Sequence, residues 1–291
     1  MTNESLLAKK QREMGFLHHF HHLGYDLIDL GVVERFEWTQ LSHDDLHLML
    51  NRHKWQSGDK LFALRSDWTN AIVRYRKQYH LRADKIAYSG PVYSLLKERH
   101  QLGVETFTDS IPKQIEVLGD MITFMEKELE LSLSVAVVSH NKLLKKILSP
   151  RELEDASVRK FICERNQDAL KHRLGADHPL IGLMDQAPTE QAGYLKEHYP
   201  ELTGHLNELA EWEATLKSKN VDYVYADMLA LPNQSYYKGI FIQLYGENQT
   251  EPVASGGQYT SSSKAFGMAI NNGSAKNSME TAMNNEVMCK T

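Results

Sequence analysis

The residues of this chain best placed to do chemistry lie on one short stretch, "HQLGVETF", residues 100 to 107. Its strict alternation is typical of a β-strand, which sends successive side chains to opposite faces. Gln101 and Glu105 then share one face with Gly103 between them, while the apolar residues in between pack on the other face. An amide and an acid on one face of a strand can point to solvent or can bind a ligand, and the alternation alone leaves both possibilities open.

Three other groups of side chains could bind a ligand or a metal, or could have a purely structural role. Asp67 precedes a predicted helix, where an acid more commonly caps the helix than binds a ligand. The stretch "GGQY", residues 256 to 259, could be a tight turn whose glycines serve backbone geometry alone. His18, His21 and His22 share a helical face without a carboxylate or cysteine at metal-ligand spacing, so we interpret them as surface or interface histidines rather than as a metal site.

The composition limits the class of protein. The chain has 291 residues, of which 42% are apolar and 24% charged, as in globular proteins. No run approaches the ~18 apolar residues that span a bilayer, and the first residues lack the features of a secretory signal. Two cysteines, Cys163 and Cys289, provide no disulfide framework, so we expect a cytosolic protein. The net charge of -5 argues against binding to the phosphate backbone of nucleic acids.

Hydrophobic periodicity predicts the elements that must position these residues. Helices are expected at residues 3 to 23, 69 to 79 and 112 to 130. Strands are expected at residues 26 to 30, 60 to 65, 133 to 139, 221 to 227, 235 to 246 and 266 to 270, and in a hairpin at residues 85 to 107.

Strands with helices set between them, without regular βαβ alternation, predict an α+β fold built on a mostly antiparallel sheet flanked by helices. We assign this domain to residues 1–139 and 219–271. Residues 140–218 show only short helical patterns punctuated by prolines, which indicates a helical insertion. Residues 272–291 form a polar C-terminal tail that is expected to end in a loosely packed helix.

Six motifs follow one another along the chain. Together they resemble the catalytic domain of class II histidyl-tRNA synthetases and, more closely, the regulatory subunits of ATP phosphoribosyltransferase, which are non-catalytic relatives of those enzymes. The resemblance covers most of residues 5 to 271. The motifs are "GYDLIDLGVVE" (24 to 34), "LRSDWTNAIVR" (64 to 74), "GPVYS…HQLGVETF" (90 to 107), "SYYKGIFIQ" (235 to 243), "ASGGQY" (254 to 259) and "AFGMAIN" (265 to 271).

The resemblance implies a pocket for free histidine. Two acids and an amide can satisfy the donors and one acceptor of that ligand, and aromatic walls exclude water and strengthen the hydrogen bonds. Gly103 is expected to leave room at the floor of the pocket, and of the paired tyrosines we favour Tyr237 over Tyr236. The pocket residues implied by the resemblance are Asp67, Thr69, Gln101, Glu105, Tyr237 and Tyr259.

Other positions depart from the synthetase pattern where ATP would be held. The resemblance leads us to expect arginines at the places of Ser94 and Pro232, and a Glu-Arg pair at the places of Asn271 and Asn272. In the first motif, Gly31 stands where synthetases usually carry a proline. This departure weakens the expectation of the dimer packing typical of synthetases. Uncharged side chains cannot stabilise the charge on ATP phosphates. The resemblance therefore implies a protein without catalytic residues.

The function implied is that of a regulatory subunit in the first step of histidine biosynthesis. It would be required for the activity of the short-form catalytic subunit and would convey feedback inhibition by histidine. Regulatory dimers and catalytic subunits would form a hetero-octamer, with histidine as effector and with no cofactor, metal, nucleic acid or membrane. One alternative is a diverged histidyl-tRNA synthetase or another ATP-dependent amino-acid ligase. Another is a module that binds tRNA or a second synthetase, which the acidic balance disfavours.

Overall fold

The computed structural model describes residues 6–36, 49, 52–95, 97–219, 221–232, 236–261 and 264–272. The chain forms two compact units. The first comprises Thr2–Ser132 and Gln249–Ser274 and is here called the outer unit, because its two segments lie on either side of the second in the sequence. The second, called the central unit for its place in the sequence, comprises Leu133–Asn248. Within the described ranges, the helices are too short or too polar to cross a membrane.

Among its described residues, the outer unit contains both helices and strands. The helices are α1 (Leu6–His22), α2 (Trp68–Tyr79) and α3 (Ile111–Lys127). The strands are β1 (Asp26–Leu27), β2 (Val33–Phe36), β3 (Lys54–Ser57), β4 (Lys60–Leu64), β5 (Lys85–Tyr93), β6 (Glu98–Thr106), β10 (Ala254–Thr260) and β11 (Lys264–Asn272).

Antiparallel pairing dominates this unit. The hairpin partners β5 and β6 are antiparallel, and β6 pairs in the same way with β11, which pairs with β10. Among the described strands of this unit, β1 alone runs parallel to its neighbour, β5. A smaller antiparallel sheet has the order β2-β4-β3. Because β6 lies between β5 and β11, its side chains meet residues from both neighbours on each face.

Two helices of the outer unit begin and pack as their sequences dictate. Asp67 is extended and accepts a hydrogen bond from the Asn70 amide at 2.8 Å, which caps the N-terminus of α2. The helix ends at His80, a residue in the left-handed conformation (φ 52°). Phe16 of α1 meets Phe124 of α3 edge to face at 5.1 Å, and both rings are buried.

The central unit contains strands β7 (Leu133–His140), β8 (Tyr223–Ala226) and β9 (Tyr237–Gly246). Strand β7 pairs with β9 in antiparallel and with β8 in parallel orientation. Every described element between β7 and β8 is helical. These are α4 (Asn141–Ile147), α5 (Pro150–Glu154), α6 (Ala156–Cys163), α7 (Gln167–Leu174), α8 (Pro179–Met184), α9 (Gln191–His198), a 3-10 turn (Pro200–Leu202) and α10 (Thr203–Lys217).

The mostly antiparallel α+β class expected from the sequence is confirmed. The interpretation of "GGQY" as a tight turn is wrong, because these residues belong to β10. There Gly256 allows close pairing, since a Cβ on it would lie 2.2 Å from the carbonyl oxygen of Gly267. The bounds 140–218 of the helical insertion remain a prediction, and the expected helix in the tail lies outside the described residues.

Candidate ligand-binding face

One face of β6 carries the candidate residues, as the alternation predicts. Glu105 pairs across the strands with Ile86 of β5 and Gly267 of β11. Its side chain is 0% exposed, so this carboxyl group does not face solvent. Since residues two apart share a face, Gln101 lies on the same side of the sheet and is half-buried.

Glu105 brings together side chains from three separate elements. The Thr69 hydroxyl, in the first turn of α2, donates to Oε1 at 2.6 Å. The Tyr259 hydroxyl, on β10, donates to Oε2 at 2.8 Å, and Tyr259 is itself buried. Three of the six residues expected in the pocket therefore form one hydrogen-bonded group within the outer unit.

The protonation of Glu105 follows from its surroundings. Burial raises its pKa to about 8, although the hydroxyl groups of Thr69 and Tyr259 act in the opposite direction by stabilising the carboxylate. The nearby acid Asp67 raises the pKa further. Burial, followed by the Glu105 carboxylate, also raises the pKa of Tyr259 well above its usual value. Burial therefore favours the protonated form of Glu105 over the carboxylate.

A glycine makes the position of this carboxyl group possible. A Cβ on Gly267 would lie 1.9 Å from Oε2 of Glu105, far inside contact distance. Only glycine at this cross-strand position leaves room for the acid to lie flat on the sheet.

The space beside Gly103 is filled by the protein itself. A Cβ on Gly103 would lie 2.3 Å from the Tyr88 ring, which crosses from the paired position on β5. This corrects the expectation that Gly103 leaves an open floor for a ligand. An aromatic side chain opposite a strand glycine covers that glycine, and pairing across strands places Tyr88 there.

Trp68 covers a second glycine, Gly90 of β5. Its indole ring stacks on Tyr88 with centroids 4.6 Å apart and is 1% exposed. A Cβ on Gly90 would lie 2.7 Å from it, and the indole Nε1 donates to the Gly90 carbonyl oxygen at 3.3 Å. The Arg65 guanidinium lies 3.5 Å from the centroid of the indole ring. Sequence reasoning missed this stack, although Gly90 and Gly103 on paired strands were a signal for it.

Arg65 is held by backbone groups rather than by acids. Its guanidinium donates to the carbonyl oxygens of Pro91, at 2.9 and 3.1 Å, and of Leu30, at 2.7 Å. Burial lowers its pKa, and Glu34 partly offsets this effect. The Arg65–Trp68–Tyr88 stack is thus a fixed wall beside Glu105.

The other candidate residues of the outer unit form hydrogen bonds with neighbouring protein groups. Asp67 is half-buried and caps α2, as the plainer interpretation predicted. The Gln101 amide donates to Oδ1 of Asn271 on β11 at 3.3 Å. Ser94 is exposed, and its hydroxyl donates to the Lys97 carbonyl oxygen at 3.2 Å in a turn.

Tyr237 belongs to the central unit. It is 7% exposed, and its ring lies 4.8 Å from that of Tyr236 and 5.3 Å from that of Phe241. Its carbonyl oxygen accepts a hydrogen bond from the Asn141 amide. Its role in the pocket remains a prediction.

The central unit also contains a cluster that the sequence did not suggest. His140, His205 and Glu208 place potential metal-ligand atoms within 4.8 Å of one another. His140 Nδ1, however, accepts the Lys142 amide at 3.2 Å and caps α4. A neutral ring then carries its proton on Nε2, which lies 3.6 Å from Glu208. A metal-ligating histidine normally donates from its second nitrogen, so a capping role explains His140 better.

Comparisons with known proteins agree with this architecture. The family model described as histidyl-tRNA synthetase matches residues 4–274. Proteins named ATP phosphoribosyltransferase regulatory subunit from Staphylococcus aureus strains JH1 and N315 are 32% identical over 269 residues, which is 92% of this chain and 98% of theirs.

Solved structures show the same fold at low sequence identity. An ATP phosphoribosyltransferase regulatory subunit/histidyl-tRNA synthetase from Bacillus halodurans superposes with a TM-score of 0.72 at 19% identity, over 97% of this chain and 78% of that one. A chain from an ATP phosphoribosyl transferase complex of Thermotoga maritima superposes with a TM-score of 0.67 at 20% identity, over 90% of this chain and 97% of that one.

Proposed function

Because the chain belongs to the histidyl-tRNA synthetase-like family of ATP phosphoribosyltransferase regulatory subunits, we propose that it binds the catalytic subunit of that enzyme, supports its activity and conveys inhibition by histidine. The chain thereby takes part in histidine biosynthesis. The observation that carries the effector site is the group formed by Thr69, Glu105 and Tyr259 on one face of the sheet. We place the complex in the cytoplasm, where a reduced Cys163 is expected.

We propose that this face of the sheet binds a ligand and does not carry out ATP chemistry. Hydroxyl, carboxyl and amide groups on the face of β6 can donate to and accept from an amino acid. Adenylate formation would also need cations at the phosphates. Ser94 instead closes a turn, and Asn271 bonds to Gln101. We propose on these grounds that the chain is not itself an enzyme.

Inhibition at a distance requires a difference in affinity between two states. Histidine can lower the activity of another subunit only if it binds more tightly to an inhibited assembly than to an active one. A coupling free energy of ~1–3 kcal/mol gives a useful response. We propose that this assembly contains regulatory dimers and catalytic subunits in a hetero-octamer.

The purified chain should not exchange labelled pyrophosphate into ATP in the presence of histidine. The reason is the uncharged set at the expected phosphate positions, Ser94, Pro232, Asn271 and Asn272. An active histidyl-tRNA synthetase assayed in parallel provides the positive control. Ser94→Arg should also remain inactive, because one cation does not rebuild the site. Exchange above the no-enzyme background by the unmodified chain would show that the diverged-synthetase alternative is right.

The proposal as a whole is tested by mixing the chain with the catalytic subunit and measuring phosphoribosyltransferase activity with and without histidine.

A further inference from the structure

The end of α2 and the residues after it form a locally basic segment. Residues 74–82, "RYRKQYHLR", contain four Lys or Arg, two Tyr and one His, and no Asp or Glu. The chain as a whole has a net charge of -5. Cations and aromatic side chains are thus concentrated in one short segment of a protein that is acidic overall.

Two of the four cations serve the fold. Arg74 forms an ion pair with Glu34. The Arg76 guanidinium donates to the Ala83 carbonyl oxygen and lies 3.6 Å from the centroid of the Phe107 ring. Contacts within the outer unit therefore account for both of these arginines.

The other two cations, Lys77 and Arg82, are exposed. Among the described residues, neither takes part in an ion pair. A cation in the last turn of a helix interacts favourably with the helix dipole, which gives Lys77 a structural role as well. Arg82 lies beyond the helix, so the dipole does not account for it.

The backbone turns back at the end of α2 and keeps these two cations on one surface. The amides of His80 and Leu81 both donate to the Arg76 carbonyl oxygen, the second at 3.3 Å. The bond from the Arg76 side chain to Ala83 holds the next residues against the same turn of the helix. Arg82 therefore lies beside the turn that carries Lys77.

Tyr79 adds an exposed aromatic ring to this surface. Its side chain is 60% exposed, and its ring lies 4.6 Å from that of Tyr75, one helical turn earlier. Tyrosine and arginine are enriched where proteins bind one another. We call Lys77, Tyr79, His80 and Arg82 the basic–aromatic patch.

We propose that the basic–aromatic patch binds an acidic segment of a protein partner. The inference rests on the function proposed above and assigns that segment to the catalytic subunit of ATP phosphoribosyltransferase. Carboxylates of the segment pair with Lys77 and Arg82, and an apolar side chain packs on the ring of Tyr79. A second copy of this patch is disfavoured as the occupant, because it would bring like charges together. The net charge of -5 disfavours a nucleic acid.

Charge reversal tests the electrostatic part of this proposal. Binding of the chain to the catalytic subunit is measured by surface plasmon resonance at about 50 mM and about 500 mM sodium chloride. The double variant Lys77→Glu, Arg82→Glu should bind at least about tenfold more weakly at the lower salt, mainly through slower association. The difference should shrink at the higher salt, where exposed charges are screened. Lys113→Glu, the same change at an exposed lysine of α3, should leave binding unchanged.

Tyr79→Ala tests the aromatic part without changing the charge. It should weaken binding at least about tenfold at both salt concentrations, mainly through faster dissociation. Tyr223→Ala, at another tyrosine that is 60% exposed, on β8 of the central unit, is the matched control and should bind like the unmodified chain. Thermal unfolding of each variant verifies that it is folded.

Three results would overturn the inference alone while the unmodified chain binds the catalytic subunit. One is a loss smaller than about tenfold in the folded double variant, or an equal loss in Lys113→Glu. Another is a Tyr79→Ala variant that binds like Tyr223→Ala. The third is binding of a labelled duplex RNA at low salt that the charge reversal abolishes, which would identify a nucleic acid as the occupant. Absence of any binding between the unmodified chain and the catalytic subunit would overturn the proposed function as well.

Discussion

Replacing Glu105 with alanine should raise the histidine concentration needed for half-inhibition of the reconstituted ATP phosphoribosyltransferase by at least about tenfold. In the proposed effector site, the substitution removes a fully buried hydrogen-bond partner of the ligand. Leaving a buried group of the ligand without its partner costs ~1–3 kcal/mol of binding free energy, and a tenfold change in affinity corresponds to ~1.4 kcal/mol.

Inhibition curves and size-exclusion profiles of the same preparations separate the possible roles of this residue. A binding role predicts lost inhibition with assembly retained. If inhibition and assembly fail together, Glu105 has a structural role instead. An unchanged histidine response would remove Glu105 from the effector site. Glu98→Ala, at an exposed position on β6, is the matched control and should leave inhibition unchanged.

Replacing Trp68 with alanine should lower the free energy of unfolding by about 3–5 kcal/mol, the usual loss for a large buried aromatic side chain. The indole ring is 1% exposed, stacks on Tyr88 and lies under the Arg65 guanidinium. Its removal would leave a cavity above Gly90 and a buried arginine without its aromatic partner. Urea denaturation of the isolated chain, followed by tyrosine and tryptophan fluorescence and by circular dichroism, gives the measurement.

Trp55→Ala is the control for this loss. Trp55 lies on the edge strand β3, is 43% exposed and stacks on Phe62 at 5.8 Å. Its removal should cost less than about 1.5 kcal/mol, the upper range for an aromatic pair. Equal effects of the two substitutions would contradict the assignment of Trp68 to a fixed wall of the site.

Local sequence rules account for part of this site. The alternation of β6 correctly predicts that Gln101 and Glu105 share a face. The acid before α2 correctly predicts the cap formed by Asp67, and the helix begins at Trp68, within a residue of the expected start. These features depend on residues close together in the chain, so that propensity and spacing suffice to find them.

Features that depend on strand register were not predictable in the same way. Thr69 is 36 residues and Tyr259 is 154 residues from Glu105 along the chain. Motif order suggested that they meet, but not that their hydroxyl groups would enclose the acid. Tyr88 covers Gly103 only because β5 and β6 pair in one register. A shift of one residue would send Tyr88 to the other face.

The chain also contains strands that the sequence analysis did not predict. Strands β2 and β3 comprise four residues each, and all four residues of β3 are exposed. Short strands of this kind lack the repeated alternation that identifies β6, and their pairing with β4 stabilises them instead.

The most direct test of the central claim is reconstitution with the short-form catalytic subunit of ATP phosphoribosyltransferase. The two chains are co-expressed, purified through a tag on one of them and assayed for phosphoribosyltransferase activity over a range of histidine concentrations. Our account predicts that they co-elute, that the complex is far more active than the catalytic subunit alone, and that histidine inhibits the complex. Separate elution, together with a catalytic subunit that is equally active and equally inhibited without this chain, would contradict it.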